Sequence, residues 1–261
     1  MYPEIHIGPL TLQTFGLMFA LAFLAAGALI ARRLGEIGKP VDWAYEMAFS
    51  ALAGGVVGSR VYFVIQNYDS VKHDLIGELF SGAGLVWYGG AIGGTLAMLA
   101  WARYRHFLGL ALLDLAAPAL ALGYAIGRCG CQLSGDGDYG KAWDGPWAMS
   151  YPHGTVPTEQ TVHPTPVYET LAMGLGAFVL WQLRDRFRAG VLFAIYLLYA
   201  GTERFLIEFL RRNTESAFGL TSAQLESLGM MLAGAIWIYA VKRRHGTLSL
   251  RALEPRGAGA T

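Results

Sequence analysis

Gly190-Val-Leu-Phe-Ala-Ile-Tyr-Leu-Leu-Tyr-Ala-Gly-Thr-Glu-Arg204-Phe-Leu-Ile-Glu208-Phe209 is apolar over most of its length and then admits an arginine and two glutamates. At ~1.5 Å rise per residue, a helix of this extent crosses the ~30 Å hydrocarbon core of a bilayer. A charge inside such a span is costly, so Arg204 marks a functional site by default. Arg60 and Arg128 recur in the same way, inside or at the end of other apolar runs.

The rest of the chain reads consistently with a membrane setting. Of 261 residues, 54% are hydrophobic and only 15% charged, too little polar surface for an ordinary soluble domain. A soluble helical bundle would also show polar faces at helical spacing, which these runs lack. The net charge of +1, without a run of like charges, gives no sign of a nucleic-acid partner. Seven stretches, near 12–31, 44–66, 85–102, 111–128, 165–183, 190–209 and 222–241, are predicted to span the bilayer. The expected fold class is therefore all-α, a polytopic membrane helical bundle of about seven transmembrane helices. The fourth stretch is short, rich in alanine, carries Pro118 and runs into a glycine-rich loop.

Threading these spans alternately places Arg32, Arg33 and Lys39, Arg103 and Arg105, Arg184, Arg186 and Arg188, and Lys242, Arg243 and Arg244 on one side. By the positive-inside rule that side is the cytoplasm, with the N-terminus outside and the C-terminus inside. The lead from Met1 to Gln13 lacks a basic n-region, so no cleaved leader is expected. The sequence is expected to form a single integral membrane domain over 1–250, with an external insertion at about 130–163 and a flexible tail at 251–261. Asp136, Asp138, Pro146, Pro152 and Pro157 favour irregular structure in the insertion.

Counted from the cytoplasmic starts of their spans, Arg60, Arg128 and Arg204 lie about 14 to 17 residues in, or ~21 to 26 Å up a helix. All three are predicted at one depth in the outer part of the bilayer, at the level of Tyr88 and of His163 to Glu169. Guanidinium groups there suit a lipid phosphate, which they bind bidentately while keeping their charge. Snorkelling is the bland alternative for an arginine near a helix end, Arg60 above all. Arg204, Glu208 and Arg211, at i, i+4 and i+7, share one helical face. They form an interior ion-pair ladder or, with one carboxylate between two guanidiniums, leave positive charge for a phosphate.

The densest glycine cluster is Gly123-Tyr-Ala-Ile-Gly127-Arg128-Cys-Gly130-Cys131-Gln-Leu-Ser134-Gly135-Asp136-Gly137-Asp138-Tyr139-Gly140. Such density permits positive φ and close backbone approach, as a loop around a polar headgroup requires. A calcium loop would need spaced ligands ending in a bidentate glutamate, which are missing. Cys129 and Cys131, the only cysteines, flank one residue and read as space-filling free thiols. No metal or cofactor is expected.

Gly127-Arg128 with its glycine-rich tail, His163-Pro-Thr-Pro-Val-Tyr-Glu169, Gly58-Ser-Arg60, Tyr88-Gly-Gly90 and Arg204-Phe-Leu-Ile-Glu208-Phe-Leu-Arg211 occur in order across roughly Leu12 to Arg244. Together they resemble the prolipoprotein diacylglyceryl transferase family. The resemblance implies an enzyme of the bacterial inner membrane that moves the diacylglyceryl group from phosphatidylglycerol to the lipobox cysteine of a prolipoprotein, releasing glycerol 1-phosphate. Its partners would be phosphatidylglycerol, the lipobox-bearing signal peptide and the bilayer. By the same resemblance Arg128, Arg204, Tyr88 and Glu169 are catalytic candidates. Arg60, Gly127, Gly130, Cys131, Ser134, Asp136, His163, Glu208 and Arg211 are substrate-binding candidates.

Three motifs depart from the family pattern. Tyr88 stands where a histidine is often proposed as base, Cys131 and Ser134-Gly-Asp136 replace an asparagine and an Asn-Gly-Glu tail, and Phe15 replaces a tyrosine. The group that deprotonates the thiol is left open among Asp136, Glu169 and the substrate phosphate. A transporter or flippase for an anionic lipid or phosphorylated solute is the alternative, but it would show paired, interrupted helices in two related halves.

Overall fold

The computed structural model describes residues 1–8, 10–68 and 86–250. The tail expected at 251–261 lies outside the described residues. Seven helices account for most of the described chain: α1 Thr14–Glu36, α2 Trp43–Gln66, α3 Trp87–Tyr104, α4 Leu110–Ser134, α5 Thr165–Leu183, α6 Val191–Glu208 and α7 Ser222–His245. Two antiparallel hairpins complete it, β1 Glu4–Ile7 with β2 Leu10–Gln13, and β3 Met149–Tyr151 with β4 Thr158–Val162. The chain is thus a helical membrane protein. Four helices, α1, α2, α4 and α7, are long and apolar enough to cross a membrane. The other three carry the Gly89-Gly90 and Gly93-Gly94 pairs (α3), Glu169 (α5) and Glu203, Arg204 and Glu208 (α6), which lower their apolar content.

The fourth helix differs from its sequence reading. Leu110–Ser134 is 25 residues, the longest of the set, and it takes Gly127 and Gly130 into the helix instead of leaving them in a loop. Ser134 Oγ donates back to the Gly130 carbonyl at 2.8 Å, and Gly135, at φ +60°, closes the helix by donating its N–H to Cys131 O at 2.9 Å. A glycine in the left-handed region is the usual way to end a helix while satisfying its last carbonyls. The insertion is also more regular than its prolines suggested. Besides the β3–β4 hairpin, Gly140 donates to His163 O, His163 to Lys141 O and Trp143 to Thr161 O, so residues 140–143 run antiparallel along the end of β4.

The chain forms two compact units, residues 30–112 and residues 1–29 with 113–250. Within the first, α2 and α3 pack backbone to backbone. A Cβ on Gly58 would sit 2.4 Å from Gly89 O, and one on Gly93 would sit 2.3 Å from Gly54 O. Gly54-x-x-x-Gly58 and Gly89-x-x-x-Gly93 are the small-residue pattern that lets membrane helices approach without lipid between them. One end of this pair is fastened by Glu46, which accepts from Trp101 Nε1 at 2.8 Å and Arg105 Nε at 2.7 Å.

In the second unit, Ala117, Ala121 and Ala125 form a stripe on α4 that meets Met173, Ala177 and Leu180 of α5 and Leu192 and Ala200 of α6. Small residues on α4 bring the helices close enough for their longer polar side chains to meet beyond the stripe. Asp114 of α4 supplies the missing cap of α6, accepting from Gly190 N at 2.6 Å and Phe193 N at 2.9 Å. Helix α7 begins with a capping box between Thr221 and Gln224 and packs on α6 through Gly201 and Gly234.

Candidate active site

Helix α4 places Tyr124 and Arg128 on one face, four residues apart. Past Ser134 the chain turns through Gly135 (φ +60°) and Gly137 (φ +95°), conformations that side chains rarely adopt. The turn brings Asp138 back onto Arg128, with Asp136 serving the turn itself by accepting from Asp138 N at 3.2 Å. Thr165, at the start of α5 and fully buried, donates to the Asp138 carbonyl at 2.6 Å and fixes that backbone. Gly140 lies so close to the segment after α6 that a Cβ would stand 2.5 Å from Leu210 O. Lys141 completes this link through its N–H to Leu210 O and its Nζ to Phe209 O.

These constraints assemble one network. Glu169 of α5 is wholly inaccessible to solvent. Its Oε1 lies 3.3 Å from Arg128 Nε and 3.8 Å from Arg204 Nη1, and its Oε2 lies 3.3 Å from Arg211 Nη1. Tyr124 donates to the same Oε1 at 2.7 Å and accepts from Arg128 Nη2 at 3.0 Å. Asp138 divides its carboxylate between Arg128 Nη1 and Arg211 Nη2. Glu208 Oε2 is 2.7 Å from Arg204 Nη1 and 3.9 Å from Arg211 Nε, while its Oε1 accepts from Asn213 Nδ2 at 2.6 Å. A buried charge is tolerated when paired and hydrogen-bonded, and each carboxylate here answers at least two guanidiniums.

The charge of the ladder differs from the sequence reading. Asp138 adds a third carboxylate to Glu169 and Glu208 against Arg128, Arg204 and Arg211, so the net positive excess expected from Arg204, Glu208 and Arg211 alone is cancelled. Burial pushes the Asp138 carboxyl up, but Arg211 and Arg128 outweigh it and hold it below the usual carboxylate range. The arginines are not spent by this pairing. Arg128 and Arg204 keep 16% and 21% of their side-chain surface exposed, against 7% for Arg211. Arg204 Nη1 and Glu208 Oε2 approach by charge but off the hydrogen-bond angle, so among the described residues neither makes a hydrogen bond. Two partly exposed guanidiniums braced by carboxylates are donors of the kind that stabilise an oxyanion.

The other sequence candidates fall around this network or apart from it. Gly127 lies in α4 with open space where a Cβ would go, whereas a Cβ on Gly130 would press on Met18 of α1 at 3.1 Å. Cys131 Sγ, one turn past Arg128, is 3.8 Å from its Nη1, and Ser134 O receives Thr155 N at 2.9 Å. Ligand atoms of Cys131, Asp136 and Asp138 lie within 4.8 Å of one another, but both Asp138 oxygens already serve guanidiniums. His163 stacks on Trp143 at 4.4 Å between centroids, with Nδ1 3.4 Å from Tyr168 OH. Arg60, buried in α2, and Tyr88, half-exposed at the start of α3, belong to the other compact unit. Sequence reasoning missed Tyr124, whose spacing to Arg128 was the available signal, and chose Asp136 over Asp138.

A family model of prolipoprotein diacylglyceryl transferase matches residues 4–240. Curated relatives named phosphatidylglycerol--prolipoprotein diacylglyceryl transferase include one from Clostridium tetani, 30% identical over 239 residues that cover 90% of this chain and 94% of the relative. Others come from Methylobacillus flagellatus, 32% identical with 92% and 95% covered, and Chromohalobacter salexigens, 33% identical with 89% and 91% covered. The arginine network and its glycine-turned loop thus sit in a membrane-embedded transferase. The chain belongs to the prolipoprotein diacylglyceryl transferase family.

Proposed function

We propose that the protein transfers the diacylglyceryl group of phosphatidylglycerol to the lipobox cysteine thiol of prolipoproteins, with glycerol 1-phosphate leaving. The observation that carries this reading is the meeting of Arg128 and Arg204, from two helices, on the one buried oxygen Glu169 Oε1. That geometry holds two partly exposed guanidiniums side by side, as displacement of a phosphate ester demands, since negative charge grows on the leaving oxygens. Glu169, Asp138 and Glu208 hold the arginines in place, and Arg211 locks the three carboxylates together.

In the membrane we infer seven spans, with the N-terminus outside and the C-terminus in the cytoplasm, in the bacterial inner membrane. The basic loops support that orientation, and it sets the network at the level of outer-leaflet phosphates. For Arg60 and Tyr88 a headgroup role rests on motif resemblance alone, with Tyr88 as a hydrogen-bonding hydroxyl.

The test is transfer by the purified protein in phosphatidylglycerol vesicles supplied with a lipobox peptide. The peptide should gain one diacylglyceryl mass for each glycerol 1-phosphate released. A flippase would instead move intact lipid across the bilayer and release none, and that result would overturn the reading.

A further inference from the structure

A cavity of about 370 Å³ opens between α5 and α6, its wall including Tyr168, Ala172, Tyr199, Thr202 and Glu203. Most of its wall is apolar, and its polar groups are largely committed. Tyr199 OH donates to Ala172 O at 2.5 Å, Thr202 Oγ1 donates to Leu198 O at 2.7 Å, and Tyr168 OH accepts from Trp147 Nε1 at 2.7 Å. Glu203 is the exception. This half-buried carboxyl makes no hydrogen bond or ion pair among the described residues, although it lies within electrostatic reach of Glu169, Arg128, Arg204 and Arg211.

That freedom sets it apart from the network's own acids. Asp138, Glu169 and Glu208 are each held by two or more guanidiniums, so their oxygens are already engaged within the network. Glu203 precedes Arg204 in α6, so a group in the cavity meets an unclaimed carboxyl beside the phosphate-binding arginines. We propose that Glu203 is the general base that takes the proton of the substrate thiol within the α5–α6 cavity. The assignment rests on the transferase reading above. The S–H bond breaks and its proton passes to the Glu203 carboxylate, while the sulfur electron pair forms the new S–C bond to the lipid glycerol carbon. The C–O bond to phosphate breaks, its electron pair leaves on the phosphate oxygen held by Arg128 and Arg204, and the departing glycerol phosphate carries the proton away.

The charged and titratable groups facing Glu203 or sharing its cavity are Tyr168 and Glu169 of α5, Tyr124 and Arg128 of α4, Tyr199 and Arg204 of α6, and Arg211. None of them is freed to act as base by changing Glu203 to an amide. The experiment measures transfer from phosphatidylglycerol vesicles to a lipobox peptide between pH 6 and 9.5, for wild type, Glu203→Gln and Glu203→Asp. At neutral pH, Glu203→Gln should lower kcat by about 10² to 10⁴. Its KM for phosphatidylglycerol should stay within about twofold, and its rate should climb about tenfold per pH unit until the thiol ionises near ~8.5. Glu203→Asp, keeping the carboxylate, should recover part of the rate. Undiminished transfer by Glu203→Gln would overturn the assignment while leaving the transferase reading intact. Lost phosphatidylglycerol binding in both variants would also overturn it, by making Glu203 a structural residue. A folded wild type without transfer would overturn the transferase reading, and this assignment with it.

Discussion

Arg211 Nη2 donates to Asp138 Oδ1 across 73 positions of sequence, tying the segment after α6 to the turn after α4. Through this contact the loop holds the arginine network closed at one end, with Arg128 on the other Asp138 oxygen. Asp138→Asn leaves two guanidiniums short of a partner, and with Asp138 about a third exposed we expect a loss of ~1–3 kcal/mol. Transfer should fall at least tenfold, while Asp136→Asn, which among the described residues pairs with none of the guanidiniums, should cost less than half as much. Thermal unfolding in detergent, read beside transfer rates, checks the ranking.

The same pairing gives a pH dependence of definite sign. Asp138 is held below its ordinary value in the folded protein, so its contribution is complete above the unfolded value of ~3.9 and is lost as pH falls through the lower folded value. Wild type should therefore destabilise more steeply on acidification below about pH 4 than Asp138→Asn does. Parallel acid limbs for the two proteins would contradict this.

Glu169→Gln should be harsher, because Glu169 is fully enclosed and touches Arg128, Arg204 and Arg211. Removing its charge takes one carboxylate partner from each of three guanidiniums at a site closed to solvent, at a cost of ~3–5 kcal/mol. We expect poor folded yield, measurable by size-exclusion recovery, with Glu169→Asp intermediate.

Close packing of α2 on α3 makes a prediction away from the arginines. Gly93→Val places its Cβ 2.3 Å from Gly54 O, against backbone that cannot yield like a side chain. Helix separation should cost ~1–3 kcal/mol of thermal stability. Gly127→Ala, with open space at its Cβ, should be tolerated.

The helices were legible because apolar runs of spanning length are a strong signal, and Arg204, Glu208 and Arg211 were legible because i, i+4 and i+7 share a face. Arg128 and Glu169 were legible through their motifs. The extent of α4 was not, since glycines at 127 and 130 read as loop until Ser134 and Gly135 are seen closing the helix. The choice between Asp136 and Asp138 depends on two positive-φ glycines that decide which carboxylate faces inward. Asp114 caps α6 from 76 positions away, which no local pattern announces. The spacing Gly54 to Gly58 and Gly89 to Gly93 was present in the chain and identifies the α2–α3 contact in hindsight.

The central claim is that Arg128 and Arg204 together hold the leaving phosphate, and its most direct measurement is transfer of labelled diacylglycerol to a lipobox peptide by wild type, Arg128→Ala and Arg204→Ala. The account predicts transfer by wild type and a loss of at least about a hundredfold in each folded variant, as expected when a charge-stabilising donor is removed. Transfer within about threefold of wild type in either variant would contradict it, because a loss that small is well short of what removing such a donor costs.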